Sequence, residues 1–178
     1  MSGRHVLILG GARSGKTGFA EKLAMGAGTR PAYLATGEAL DAEMRERVEA
    51  HRRHREGRFA TIEEPLDLAV ALTAATGEYD VILVDCLTLW ITNLLGAGRN
   101  VATAVDQLAT ALETIESSRI ILVSNEVGLG IVPDNALART FRDLAGATHQ
   151  RLAEICTDVY FITAGLPLTL KGISPAQN

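Results

Sequence analysis

The chain has 178 residues and a mass of 18.9 kDa, with 47% hydrophobic and 21% charged residues. That is the composition of one globular domain, and it excludes wholesale disorder. A net charge of −4 and a pI of about 5.6 argue against a nucleic-acid binder held by electrostatics. The apolar runs are too short to span a bilayer, and no apolar leader with a cleavage site opens the chain, so neither membrane insertion nor a signal peptide is expected. The two cysteines, Cys86 and Cys156, lie in no CxxC or Cys/His cluster, which excludes a disulfide framework or structural zinc. A cytoplasmic protein with reduced core cysteines is expected.

The first predicted element is a short strand at 5–9, followed by a glycine loop and a helix at 17–25. A second strand covers 31–35 and ends at Thr36-Gly37. Residues 41 to about 54 read as a charge-rich helix. Residues 65–75 read as an amphipathic helix with Leu66, Ala69, Val70 and Leu72 inward. Residues 80–85 form the clearest buried strand, because Val81, Ile82, Leu83 and Val84 follow one another without alternation. Unbroken apolar strands belong to parallel sheets covered on both faces. A helix at 87–95, a loop at 96–100 and a helix at 101–117 follow. Then come a second buried strand at 119–124 and a glycine-rich stretch at 125–133. A long helix runs from 135 to about 156, with Leu137, Phe141, Leu144 and Ala145 at helical intervals. A last strand covers 158–163, and residues 165–178 read as a polar, proline-containing tail. Strands alternating with helices predict an α/β domain with a mostly parallel sheet, spanning the whole chain as one unit.

Gly10-Gly11-Ala12-Arg13-Ser14-Gly15-Lys16-Thr17 matches G-x-x-x-x-G-K-[ST] in full, between a predicted strand and a predicted helix. The glycines let successive N–H groups face phosphate oxygens, and the helix N-terminus adds a positive field. Lys16 is expected at the β- and γ-phosphates, and the Thr17 hydroxyl on Mg²⁺. The expected architecture is therefore a P-loop NTPase-like three-layer sandwich. Asp85 closes the apolar strand as a Walker B acid does, at the carboxyl edge where ligands bind in open α/β sheets. It reads either as the magnesium acid or as a cap for the next helix. Glu126 is a second acid at that edge, either in the site or solvated on a loop. A regulatory GTPase should carry an Asn-Lys-x-Asp motif, and this chain has none. The length favours a small-molecule kinase over a motor or a switch.

Residues 43–55 are unusual: Glu-Met-Arg-Glu-Arg-Val-Glu-Ala-His-Arg-Arg-His-Arg. At about 100° per residue, Met44, Val48 and His51 share one face, with Arg55 close by and His54 at its edge. Neutral imidazole is a competent nucleophile near pH 7, and neighbouring cations favour that form. Guanidinium groups suit developing charge on phosphorus. Spacing alone equally fits a solvated basic helix or a nucleic-acid patch.

Together these residues resemble the bifunctional adenosylcobinamide kinase / adenosylcobinamide-phosphate guanylyltransferase family. The matching pieces are the phosphate loop, Tyr33-Leu34-Ala35-Thr36, Asp41-Ala42-Glu43-Met44, Arg47-Val48 with His51, and Thr61 with Glu63-Glu64-Pro65. Val84-Asp85-Cys86-Leu87-Thr88, Thr92-Asn93-Leu94-Leu95, Arg142-Asp143-Leu144-Ala145-Gly146 and His149-Gln150-Arg151-Leu152 also match. The most specific piece is Ser124-Asn125-Glu126-Val127-Gly128-Leu129-Gly130-Ile131-Val132-Pro133.

The resemblance implies two reactions. A nucleoside triphosphate, ATP or GTP, phosphorylates the aminopropanol hydroxyl of adenosylcobinamide. GTP then transfers GMP to an enzyme histidine, and adenosylcobinamide phosphate takes it, giving adenosylcobinamide-GDP and pyrophosphate. The family's Arg-Ile-x-x-His pattern maps to Arg47-Val48-Glu49-Ala50-His51, which makes His51 the guanylylated residue. The implied nucleotide contacts are the phosphate loop, Ala35, Thr36, Gly37, Arg52, Arg53, His54, Arg55, Glu63 and Asp85, with Mg²⁺ on Thr17 and Asp85. A homo-oligomer, a trimer, is also implied. Two departures are notable. The segment after His51 is richer in arginine and carries the extra imidazole of His54, and Phe59 stands where the family has Trp. A plain P-loop kinase without guanylyl transfer and a non-catalytic nucleotide-binding module are the alternatives.

Overall fold

The computed structural model describes residues 4–37 and 57–175. The expected helix at 41–54 lies outside the described residues. Seven strands form one sheet in the order β3-β2-β4-β5-β1-β6-β7. They are β1 (Val6–Gly10), β2 (Pro31–Ala35), β3 (Ala60–Glu63), β4 (Val81–Asp85), β5 (Arg119–Asn125), β6 (Asp158–Thr163) and β7 (Leu166–Lys171). All pairings are parallel except β6 with β7.

Strand alternation divides the core into two layers. Leu7, Leu9, Ile82, Val84, Ile120 and Leu122 face one side. There they meet α2 (Leu68–Ala75), α3 (Leu87–Gly96), α4 (Val101–Thr114) and α5 (Ala136–Ile155). Val6, Ile8, Val81, Leu83, Ile121 and Val123 face the other side, with Ala20 and Ala24 of α1 (Lys16–Ala27). Both faces of β1, β4 and β5 are thus covered, which is why their sequences are continuously apolar. The three-layer α/β sandwich expected from the sequence is the fold found.

Two strands differ from the expectation. β3 is a half-buried edge strand of four residues beside β2, too short to show a period. β7 replaces the expected tail. Ala164 and Gly165 have φ of 50° and 78°, the positive pair that a two-residue type I′ hairpin requires. Alanine in the first of these positions hid the turn. Pro167 hid the strand, although an edge strand tolerates proline.

Helix faces also shift. In α2 the buried residues are Leu68, Leu72 and Ala75, while Val70 is exposed. The helix starts later than expected because the Glu64 carboxylate accepts from the N–H groups of Leu66 and Asp67 at 2.8 Å. In α5 the buried residues are Ala145, Thr148, His149 and Leu152, and Leu137 is exposed. Asn100 and Asn135 cap α4 and α5 by accepting from Thr103 and Ala138 N–H.

Candidate active site

β5 lies between β1 and β4, with Gly10 level with Asn125 and Asp85 level with Val123. The phosphate loop, Asn125 and Asp85 therefore end side by side on the carboxyl edge of the sheet.

The loop conformation follows from its residues. Arg13 and Gly15 have φ of 55° and 94°. A Cβ at Gly10 would sit 2.5 Å from the Ile162 carbonyl oxygen and 2.6 Å from Ser14 Oγ, so only glycine fits. Ala12 and Arg13 are exposed, Gly11 is half-buried, and Lys16 is buried with its Nζ donating to the Gly11 carbonyl at 3.0 Å. The β6–β7 turn braces the loop, since Gly165 N–H donates to Ser14 O at 2.8 Å. The sequence does not mark that support, because residues 165–178 read as a polar tail.

Thr17 Oγ1 donates to Asp85 Oδ2 at 3.3 Å, and the Tyr33 hydroxyl donates to the same oxygen at 2.6 Å. A hydroxyl and a carboxylate oxygen converge at the start of α1, which is the hard-oxygen donor set that suits Mg²⁺. Asp85 makes these contacts rather than capping α3, whose Cys86 N-cap has no side-chain cap bond.

Ala35, Thr36 and Gly37 lie at the end of β2, with Glu63 level with Ala35 and exposed. Thr36 is fully buried. Its hydroxyl donates to Cys86 O at 2.7 Å and accepts from Cys86 N–H at 2.9 Å. Its carbonyl accepts from Asn93 Nδ2 at 2.7 Å. The Thr36 side chain is thus engaged in joining β2 to the end of β4. His51, Arg52, Arg53, His54 and Arg55 lie outside the described residues.

A polar chain extends from the end of β5 and joins Glu126, the second acid at that edge, to α5. Asn125 N–H donates to Thr88 Oγ1 at 2.8 Å, and Thr88 Oγ1 lies 3.4 Å from Ser124 Oγ. Ser124 Oγ lies 2.8 Å from His149 Nε2, and His149 Nδ1 lies 3.6 Å from Glu126 Oε2. At that distance the last contact is electrostatic rather than a formed hydrogen bond. Burial pushes the His149 pKa below its usual value, against the opposing pull of Glu126. Among the described residues, Ser14 Oγ, Asn125 Oδ1 and His149 Nδ1 are buried without a hydrogen-bond partner, and Arg119 Nε is the fourth such atom. In the sequence, Thr88, Ser124, Asn125, Glu126 and His149 all fall in the pieces that resemble the family, but no local spacing shows that they meet.

The family model for cobinamide kinase / cobinamide phosphate guanyltransferase matches residues 6–170. The chain belongs to that family. It is 48% identical over 168 residues to the bifunctional adenosylcobalamin biosynthesis protein CobP of Pseudomonas aeruginosa, covering 93% of this chain and 96% of that one. It is 38% identical over 180 residues to the bifunctional adenosylcobalamin biosynthesis protein CobU of Salmonella typhimurium, covering 93% and 99%. Among solved structures, the type III secretion ATPase from pathogenic bacteria aligns at a TM-score of 0.58 with 13% identity, over 93% of this chain and 56% of that one. A KaiC-like protein of Pyrococcus horikoshii OT3 aligns at 0.52 with 16% identity, over 90% and 71%. These distant likenesses concern the fold alone, and they agree with a P-loop NTPase-like architecture. No described helix of this cobinamide kinase family member is long and apolar enough to cross a membrane.

Proposed function

We propose that this chain carries out both steps of nucleotide loop assembly. It would phosphorylate the hydroxyl of adenosylcobinamide with ATP or GTP, then transfer GMP from GTP through His51 to adenosylcobinamide phosphate. The supporting observation is the phosphate loop with Lys16 and the Thr17–Asp85 pair, 3.3 Å apart, in a chain of this family.

In the first step the loop N–H groups and Lys16 hold the triphosphate and stabilise charge on the transferring group. Thr17 and Asp85 would hold Mg²⁺, which supplies charge neutralisation on the phosphates when bound. In the second step a His51 nitrogen forms a bond to the α-phosphorus, the α–β bridging bond breaks, and pyrophosphate leaves. The corrinoid phosphate then takes the GMP from His51. Arg52, Arg53, His54, Arg55, Ala35, Gly37 and Glu63 complete the proposed nucleotide contacts. Thr36 fits as a backbone anchor, because its hydroxyl is already engaged. One cytoplasmic domain, assembled as a homotrimer, carries both activities.

The test uses GTP labelled on the α-phosphate, with Mg²⁺ and without corrinoid. Wild type and His54→Ala should take up an acid-labile, base-stable label, as a phosphoramidate requires, and His51→Ala should not. An unlabelled, folded wild type would leave the plain kinase as the reading. Light scattering measures the assembly, and a monomer mass of 18.9 kDa would refute the trimer.

A further inference from the structure

Glu126 begins the loop after β5 and is fixed at both ends beside the phosphate loop. Its N–H donates to Gly10 O at 3.0 Å, and its Oε1 accepts from Gly128 N–H. Its Oε2 faces His149 Nδ1. Among the described residues, no lysine or arginine forms an ion pair with this carboxylate. Gly128 lines a cleft of about 750 Å³ and Val127 a separate one of about 760 Å³, so open space adjoins the loop that Glu126 begins, although Glu126 itself lines neither.

The Glu126 carboxylate facing Nδ1 favours one tautomer of His149. Thr88 Oγ1 accepts from Asn125 N–H and keeps a proton that it can give to Ser124 Oγ. Ser124 can then donate to His149 Nε2. The imidazole proton is left on Nδ1, toward Glu126. The other tautomer would set a nitrogen lone pair against a carboxylate, which is repulsive. His149 thus presents a neutral N–H toward Glu126, at 3.6 Å, without neutralising it.

We propose that Glu126 is the base that accepts the proton of the acceptor hydroxyl in the phosphorylation step, and that His149 is its positioning residue. The hydroxyl oxygen bonds to the γ-phosphorus as its proton passes to Glu126 Oε2. The bond from the γ-phosphorus to its bridging oxygen breaks, and the nucleoside diphosphate leaves. The assignment rests on the kinase half of the proposed function. It gives Glu126 no part in the attack of His51, which needs no acceptor hydroxyl.

The test compares phosphorylation of adenosylcobinamide with protein labelling by α-labelled GTP. Glu126→Gln keeps the acceptor for Gly128 N–H. It should lower kcat for phosphorylation a hundredfold or more, as loss of a general base does, while labelling stays near wild type. His149→Ala should lower the same kcat at least tenfold with KM for the nucleotide unchanged. His149→Asn, which can place a donor near the Nδ1 position, should recover part of it. Phosphorylation by Glu126→Gln within threefold of wild type overturns the assignment. So does equal loss of phosphorylation and labelling in Glu126→Gln or His149→Ala, which would mark a structural role. A wild type inert in both assays strikes the proposed function itself, and this assignment with it.

Discussion

Thr36 shows how a residue of the nucleotide-binding edge can serve the fold first. Its one hydroxyl satisfies both the N–H and the carbonyl of Cys86 in a fully buried setting. Thr36→Val keeps the shape but strands the Cys86 N–H, at about 1–3 kcal/mol, while the Cys86 carbonyl still accepts from Trp90 N–H at 3.2 Å. The expected loss is about 1–3 kcal/mol in urea unfolding, with Thr36→Ser regaining most of it. A Thr36→Val protein as stable as wild type but weak in nucleotide binding would contradict this. At this scale the legible residues were those whose chemistry dictates a local spacing. The octet from Gly10 to Thr17 is one case, and Asp85 at the end of an apolar run is another. Tyr33, which reaches Asp85 across 52 positions, and His149, which reaches Ser124 across 25, carry no such local mark. The expectation for His51 rests on a helical stripe and a family pattern, and the residue lies outside the described residues.

Among the elements, the β6–β7 hairpin supports the phosphate loop from behind. Gly165 combines a left-handed φ of 78° with the N–H that Ser14 O accepts. A Cβ there meets nothing within 4 Å, so Gly165→Ala introduces strain of about 1–2 kcal/mol but keeps the N–H. Gly165→Pro removes the donor and cannot reach that φ. The alanine variant should therefore be less stable yet bind nucleotide as wild type does. The proline variant should also lose nucleotide affinity, as titration calorimetry would read. Equal affinity in the two variants would show that the brace does nothing for the loop. β1, β4 and β5 were readable because burial on both faces writes itself as an unbroken apolar run. β3 and β7 were not, since an edge strand has one neighbour and needs little pattern.

At the scale of the whole molecule, two buried histidines tie the layers together. His5 leads into β1. Its Nε2–H donates to Leu112 O of α4 at 2.9 Å, and its Nδ1 accepts from Ile120 N–H of β5 at 3.1 Å. His149 joins α5 to β5 through Ser124. Burial lowers both pKa values below the usual 6.5. In the unfolded chain each histidine titrates near 6.5, so on acidification the unfolded state takes the proton first. Stability is complete above pH 6.5 and falls as the pH drops from there toward the folded-state values. Each histidine contributes up to about 1.4 kcal/mol per pH unit in that window. Protonation of His5 Nδ1 would also displace the Ile120 N–H bond, which couples the titration to the β1–β5 pairing. Urea unfolding at pH 7.5 and pH 5.5 should show this loss. His5→Gln is less stable at every pH, but it should have a shallower slope because one titration is gone. An unchanged slope in His5→Gln would mean that His5 is not held neutral, and the stability of the central strands would then need another account.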